Sequence, residues 1–426
     1  LRCAGRCLPT VLVVGSLSVF ALAREARAAD LTSDCCADLE ARIAELEETT
    51  ARKGNRRVSL TITGYLSKQI MFWDDGLERN AYITDMGPTQ ASNVRFSGSA
   101  SIAPGWTAGY IIRIQDLTSN PMLLDQRTAS AGPGPNVQFA HWHLTSDELG
   151  KLAIGRNALA SKSAGMFTDL SGTQIIANYV LFDGNAFFLT QGDKVLNLRW
   201  GDFGYCYSQQ RPWGGDCDGI VMMGVRYDSP TFAGFSVSAS YGEDDDWEIA
   251  ARYQGEVAGF KTSLGIGYSI NTDERAQPPP ITFDKDSTFF QAGGYLQHLA
   301  TGLFLHGIYG AENNHDAITI RGRLTVPDSH QWYVKAGIRK QWFTLGHTVL
   351  YGEVADYIDQ LSPAALNAGA TASELTRWGF GAVQEIDASA MSLWVRYREQ
   401  DVSITGPDLG DIDPFRYTSV GALINF

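Results

Sequence analysis

RYTSVGALINF, residues 416–426, ends the chain and alternates along its whole length. Thr418, Val420, Ala422, Ile424 and Phe426 fall on one side, and Tyr417, Ser419, Gly421, Leu423 and Asn425 on the other. A period of two is that of a β-strand, whose successive side chains point to opposite faces. An aromatic residue closing such a strand at the chain end points to a sheet whose apolar side meets lipid.

The same period opens at Val58. Val58, Leu60, Ile62, Gly64, Leu66, Lys68, Ile70 and Phe72 share one face, and Ser59, Thr61, Thr63, Tyr65, Ser67, Gln69 and Met71 share the other. Between the two ends, strand-like segments fall at 94–102, 107–115, 137–144, 151–156, 219–227, 235–241, 247–254, 260–270, 288–298, 303–311, 331–342, 344–357, 375–386 and 391–399. With both ends the count is about sixteen, and an even number is what a closed bacterial barrel requires. Short turns near Gly105, Gly150, Pro230, Gly255, Gly302 and Asp387 alternate with long connections at 73–93, 116–136, 157–218, 271–287, 312–330, 358–374 and 400–416; 242–246 is a short exception. Short turns on one rim and long loops on the other match periplasmic and extracellular ends. Periodicity does not assign the lipid face in 288–308 or 344–386.

Composition fits this reading without revealing it. Hydrophobic residues are 44% of the chain and mean hydropathy is −0.13. No apolar run reaches the ~18 residues of a transmembrane helix, and a barrel needs none. Aromatics such as Phe72, Trp106, Tyr227, Tyr241, Trp247, Trp342 and Tyr397 sit near strand ends, as headgroup-level girdles do.

The first 28 residues read as an export signal: Arg2 and Arg6, an apolar stretch at 8–23, and an Ala26-Arg27-Ala28 cleavage site. Cys3 and Cys7 leave with it, together with four Arg and one Glu, taking the formal charge from −13 to −16. An exported acidic chain is a poor ligand for nucleic acid. Residues 29–57 follow as a short helical segment, with Leu39, Ile43, Leu46 and Thr50 spaced as in two heptads. This segment would associate across subunits or remain a solvated tail. The barrel spans 58–426. Cys35 and Cys36 are adjacent and poorly placed to pair with each other. Cys206 and Cys217 flank a Gly/Pro/Trp-rich stretch and are expected to bond, stabilising by about 2–3 kcal/mol.

The connection 157–218 is too long for a plain loop, and is either a misassignment of its flanking strands or a functional insertion. It holds Asp169, Asp183 and Asp193, with a possible hairpin near 194–205. On the strands, Arg95, Arg113, Arg226, Arg252, Lys261, Lys335, Arg339, Arg396 and Arg398 lie out of phase with their apolar neighbours. A guanidinium facing hydrocarbon at mid-membrane costs about 2–4 kcal/mol, so these residues should face inward.

GKLAIGRN (150–157), DCCADLEARIAELE (34–47), RVSLTITGYL (57–66), APGWTAGY (103–110) and the terminal Phe together resemble general bacterial porins of the alphaproteobacterial, rhizobial type. The resemblance implies an all-β, antiparallel up-and-down barrel of sixteen strands, assembled as a homotrimer. Its third loop folds inward and narrows a channel for small hydrophilic solutes. It implies acidic groups on that loop, here Asp169, Asp183 and Asp193, set against a basic wall. It also implies Phe426 as the barrel-assembly signal. Arg156 matches the family pattern, but alternation from Leu152 and Ile154 puts it outward unless a bulge intervenes. Neutralising Asp169 with Asp183 is expected to favour anions. Outer-membrane lipid and lipopolysaccharide are the expected surroundings, and no cofactor is called for.

Two other readings compete. A barrel enzyme such as a phospholipase needs a Ser–His arrangement near the headgroups. His141, His143, His298, His306 and His347 lie in no nucleophile motif. His141 and His143 alone supply too few ligands for a metal. A plugged structural barrel or adhesin would hold the basic wall in internal pairs. Glu243, Asp244, Asp245 and Asp246 could take Ca²⁺ or bridge lipopolysaccharide, or form a solvated loop tip.

Overall fold

The computed structural model describes residues 58–426 except 210, 219, 220, 244, 273, 277–281, 285, 286, 316, 320–322 and 408. The stretches expected to form a leader (1–28) and a helical segment (29–57), with Cys35 and Cys36, and Asp244 lie outside the described residues.

The wall begins with β1 (Thr61–Asp74), β2 (Arg79–Asp85), β3 (Asn93–Ala103), β4 (Trp106–Leu117), β5 (Gly134–Ser146) and β6 (Gly150–Ala158). A hairpin inside the long connection forms β7 (Phe188–Gln191) and β8 (Lys194–Arg199). The wall resumes with β9 (Val221–Asp228), β10 (Phe235–Gly242), β11 (Asp246–Val257) and β12 (Phe260–Asn271). A loop hairpin, β13 (Glu274–Ala276) and β14 (Thr282–Asp284), precedes β15 (Ser287–His298) and β16 (Leu303–Asn314). A second, β17 (Ala317–Thr319) and β18 (Arg323–Thr325), precedes β19 (Ser329–Phe343), β20 (Gly346–Ile358), β21 (Ala372–Ile386), β22 (Met391–Thr405) and β23 (Phe415–Asn425). Every wall pairing is antiparallel, and β23 pairs with β1 from Tyr65↔Asn425 to Asp74↔Arg416, closing the sheet.

The barrel has sixteen strands because β2 and β3 share one place in the wall, pairing respectively with the upper and lower halves of β1. The stretch 73–93, expected as a loop, is mostly a hairpin. Tyr82 and Thr84 face in while Ala81 and Ile83 face out, and the chain breaks inward only at 86–92. At that break Gly87 is needed for close approach: a Cβ there would lie 2.0 Å from the Phe182 ring.

Outward side chains are apolar and exposed, among them Leu66, Ile83, Trp142, Trp247, Ile266, Leu305 and Phe380. Such a belt is stable only against lipid. The packed core lies inside. Tyr179, Leu181, Phe187, Trp200, Phe203 and Trp213 of the long connection pack on Trp73, Tyr333, Tyr357, Phe415 and Tyr417 of the wall. Each fully buried large side chain contributes about 1.5–3 kcal/mol. The connection is therefore a small folded layer against the inner wall.

Candidate pore constriction

The inserted segment 159–218 is held by cations projecting inward from β19, β21 and β22. Lys335 Nζ donates to Asp169 Oδ2 at 2.6 Å, to Thr173 Oγ1 at 2.8 Å and to the Ala177 carbonyl at 2.8 Å. Arg396 pairs with Asp183 at 2.7 Å and also donates to the Ile176 carbonyl. Arg377 donates to the carbonyls of Asn178 at 2.7 Å and Val180 at 3.1 Å. Arg398 reaches the Asn178 carbonyl at 3.1 Å and makes a fork with Glu353 at 2.6 and 3.1 Å. The Tyr357 hydroxyl takes the Tyr179 carbonyl. Every carbonyl from Ile176 to Val180 thus has a wall donor. A loop without sheet partners can be buried because these donors satisfy its backbone.

Asp169 and Asp183 are in contact with the wall, both buried, rather than opposed to it across water. Burial raises the Asp169 carboxyl, but the charges of Lys335 and His306 and hydrogen bonds from Lys335 and Ser171 leave it below the usual range. Arg226 and Arg252 hold the entry to the segment. Arg226 donates to the carbonyls of Ala158 and Leu159 at 3.1 and 3.0 Å, and Arg252 to that of Ala160 at 2.6 Å. Arg339 pairs with Glu385 at 2.6 Å. Lys261 sits at the short-turn end of β12.

Two positions lie elsewhere than the resemblance implies. Arg156 is outward and exposed, between Ala140 and Met223 in register, and its Nε donates to the Val137 carbonyl at 3.3 Å. No bulge interrupts β6, so strict alternation carries it to the outer face. Asp193 is exposed in the β7–β8 turn, away from Asp169 and Asp183. The hairpin expected at 194–205 instead pairs Phe188–Gln191 with Lys194–Arg199, and residues 200–203 form a 3₁₀ turn. Cys206 and Cys217 are bonded, with Cα atoms 5.2 Å apart, and both are fully buried.

The two ends of the segment meet at a neck on β11, β12 and β15. Ser163 Oγ donates to Asp216 at 2.5 Å, Ser269 to Asp218 at 2.6 Å, Gln291 to Asp218 at 3.0 Å, and the Ser161 amide to Glu248 at 2.6 Å. Burial pushes the Asp218 carboxyl up to about 7, and the neighbouring Asp216 charge adds to the shift against the hydrogen bonds from Ser269 and Gln291. A carboxyl raised above its unfolded value near 3.9 stabilises the fold in its protonated form. That stability is full below about pH 4 and is lost as pH rises through about 7. Protease protection of 159–218 should therefore fall between pH 5 and pH 8, and Asp218→Asn should flatten the change.

Arg95, Arg113 and Lys151 form a different group. All lie on the inward phase of β3, β4 and β6, and none makes an ion pair among the described residues. Lys151, Arg377, Glu353 and Tyr357 escaped the sequence reading. Lys151 is in phase with inward Ala153 and could have been found by extending alternation to the strand's start. The other three lie where the alternation could not be read.

A lipid-facing barrel with a loop folded into a charged lumen is an outer-membrane channel. The model of the Gram-negative porin family matches residues 10–404, and the chain belongs to that family. Structural similarity agrees in fold. OmpT of Vibrio cholerae, as a loop L8 deletion mutant, aligns at TM-score 0.52 and 12% identity over 87% of this chain and 100% of that one. The outer membrane channel DcaP of Acinetobacter baumannii aligns at 0.52 and 11% over 88% and 99%. OmpF of Salmonella typhi, in complex with daunomycin, aligns at 0.50 and 14% over 86% and 97%. No curated protein is matched by the sequence. The protein is an integral outer-membrane porin, a water-filled channel for passive diffusion of small hydrophilic solutes.

Proposed function

We propose that the conducting path runs along the inner face of β3–β6, beside the inserted segment, and that it favours anions. The observation that carries this reading is how the basic residues divide. Lys335, Arg377, Arg396 and Arg398 are buried against the segment, whereas Arg95 is exposed, Arg113 and Lys151 are half-buried, and none of these three forms an ion pair among the described residues. Unneutralised cations on a water-filled, low-dielectric wall raise the local anion concentration. In this account Asp169 and Asp183 seat the segment, and Asp193 and Arg156 take no part in the narrow zone. In a KCl gradient the reversal potential should lie on the chloride side. Arg95→Gln with Arg113→Gln should lower the chloride-to-potassium permeability ratio about fivefold, the factor carried by about 1 kcal/mol between unit charges 4 Å apart in water. A potassium-selective wild type would sink the reading.

The barrel works as a homotrimer, and the support is a charged cluster on its outer face. Lys68 and Asp85 are cross-strand partners on the outward phase of β1 and β2, and Lys68 also pairs with Asp116 at 2.9 Å. Exposed to hydrocarbon this cluster would be costly, whereas a neighbouring copy can cover it. The Vibrio cholerae OmpT structure at TM-score 0.50 is described as a trimer form. Lys68→Met strands the fully buried Asp85 carboxylate. It should lower the temperature at which the oligomer dissociates in detergent; a wild type that is monomeric, or a variant dissociating with the wild type, would count against the assembly. Phe426 exchanges backbone hydrogen bonds with Gly64 at 2.9 and 3.0 Å. It stands at the closing seam with its ring exposed, where an assembly signal can be read.

A further inference from the structure

We infer that the inner wall of β3–β6 holds a discrete binding site for a tetrahedral oxyanion of the phosphate or sulfate class, formed by Arg95, Arg113, Lys151 and the rings of His141 and His143. The inference rests on the anion path proposed above and adds to it a ligand class and a place where the ligand dwells.

Arg95 and Arg113 are direct cross-strand partners. Like charges so placed repel, and among the described residues no carboxylate pairs with either. Arg113 is fixed: its guanidinium lies 5.9 Å from the Tyr65 ring and 5.6 Å from the Phe139 ring, and it donates to the Tyr65 hydroxyl at 3.4 Å. Phe139 meets His141 edge-on at 6.4 Å, and the His141 and His143 rings are 6.0 Å apart. Opposite His143 stands Gly109, where a Cβ would come within 2.4 Å of the imidazole Nε2; the missing side chain lets the ring lie across β4. Lys151 follows on β6, two residues before Ala153, the partner of His143.

The neighbouring carboxylates are otherwise engaged. Asp228 stands opposite Lys151 but accepts from Arg226 at 2.7 Å and from Ser238 at 2.7 Å. On the inserted segment Lys162 lies beside Asp216 and Glu248. Arg95 lies within electrostatic reach of both Arg113 and Lys151, and none of the three forms an ion pair among the described residues. Hydrogen-bonding capacity is also left over. His141 is 8% exposed, and among the described residues neither ring nitrogen makes a well-formed hydrogen bond, its nearest backbone neighbour being Arg156; His143 Nδ1 and Arg113 Nε are also without a partner there. A neutral imidazole still donates one N–H. A halide could answer the charge. An oxyanion also presents several acceptor oxygens, which match a guanidinium fork and convergent N–H groups.

The test does not depend on conduction. Isothermal titration of inorganic phosphate into the refolded full-length protein in detergent, at constant chloride, should show one site per chain. Arg95→Gln with Arg113→Gln should weaken binding about tenfold or more. His141→Asn with His143→Asn should weaken it by a smaller factor while the Arg pair is intact. Sulfate should attenuate the KCl current of the wild type and leave that of the Arg variant unaffected. Absence of phosphate binding, or equal binding by the Arg variant, overturns the site even if the channel is anion-selective. A potassium-side reversal potential with phosphate binding retained would overturn the selectivity reading and leave the site standing.

Discussion

Exchanging Asp169 and Asp183 together for Asn should unseat the inserted segment and raise single-channel conductance, with noisier open levels. Each carboxylate is buried in contact with one cation, Lys335 or Arg396, which also binds segment carbonyls. Removing one partner of a buried pair costs about 3–5 kcal/mol, because the other charge stays buried without compensation. Two such losses favour the detached state of the segment by a factor of about ten thousand or more. The aromatic layer of Tyr179, Phe187, Trp200 and Trp213 opposes full release, so fluctuation rather than loss of the segment is the expected state. Planar-bilayer recording with limited proteolysis of 159–218 reads the result. A quiet channel of wild-type conductance, shifted only in selectivity, would mean that the two carboxylates face the path.

The second large effect is expected at Glu353. Lys335, Arg377, Arg396 and Arg398 are all buried, and Glu353 forks Arg398 while accepting the Tyr333 hydroxyl at 2.8 Å. Among the described residues only Asp169, Asp183 and Glu353 form ion pairs with these four cations. Glu353→Gln strands Arg398 and should lower the unfolding free energy by about 3–5 kcal/mol, measured by urea titration of the folded barrel in lipid vesicles. Replacing both partners, Glu353→Leu with Arg398→Leu, should recover most of that loss, because no charge is then left buried alone. If the double variant were as unstable as the single one, the Arg398 contacts to the Asn178 carbonyl would outweigh the ion pair.

The sequence announced the barrel wherever its two faces differ chemically. In β1, Leu66, Ile70 and Phe72 stand against Ser67 and Gln69, and the alternation is plain. It fails in β15, β20 and β21 for a physical reason. There the inner face is apolar as well, since Phe289, Tyr295, Val349, Tyr351 and Val383 pack beneath the inserted segment. A strand buried on one side and lipid-covered on the other has no period-two contrast to read. The inward direction of Arg113, Lys335 and Arg396 was legible because a charge out of phase with apolar neighbours has one affordable side. Which cations seat the segment and which face water was not. That division depends on where Ile176 to Val180 place their carbonyls, and strand periodicity carries no record of it. Arg156 shows the reverse case, where alternation was a better guide than the family pattern.

Purified protein reconstituted into planar bilayers tests the account most directly. It predicts stepwise, open channels in KCl, appearing in threes if the trimer holds, with a reversal potential on the chloride side. A folded barrel that stays silent at every voltage would contradict it, leaving the layer of 159–218 as a plug rather than a constriction.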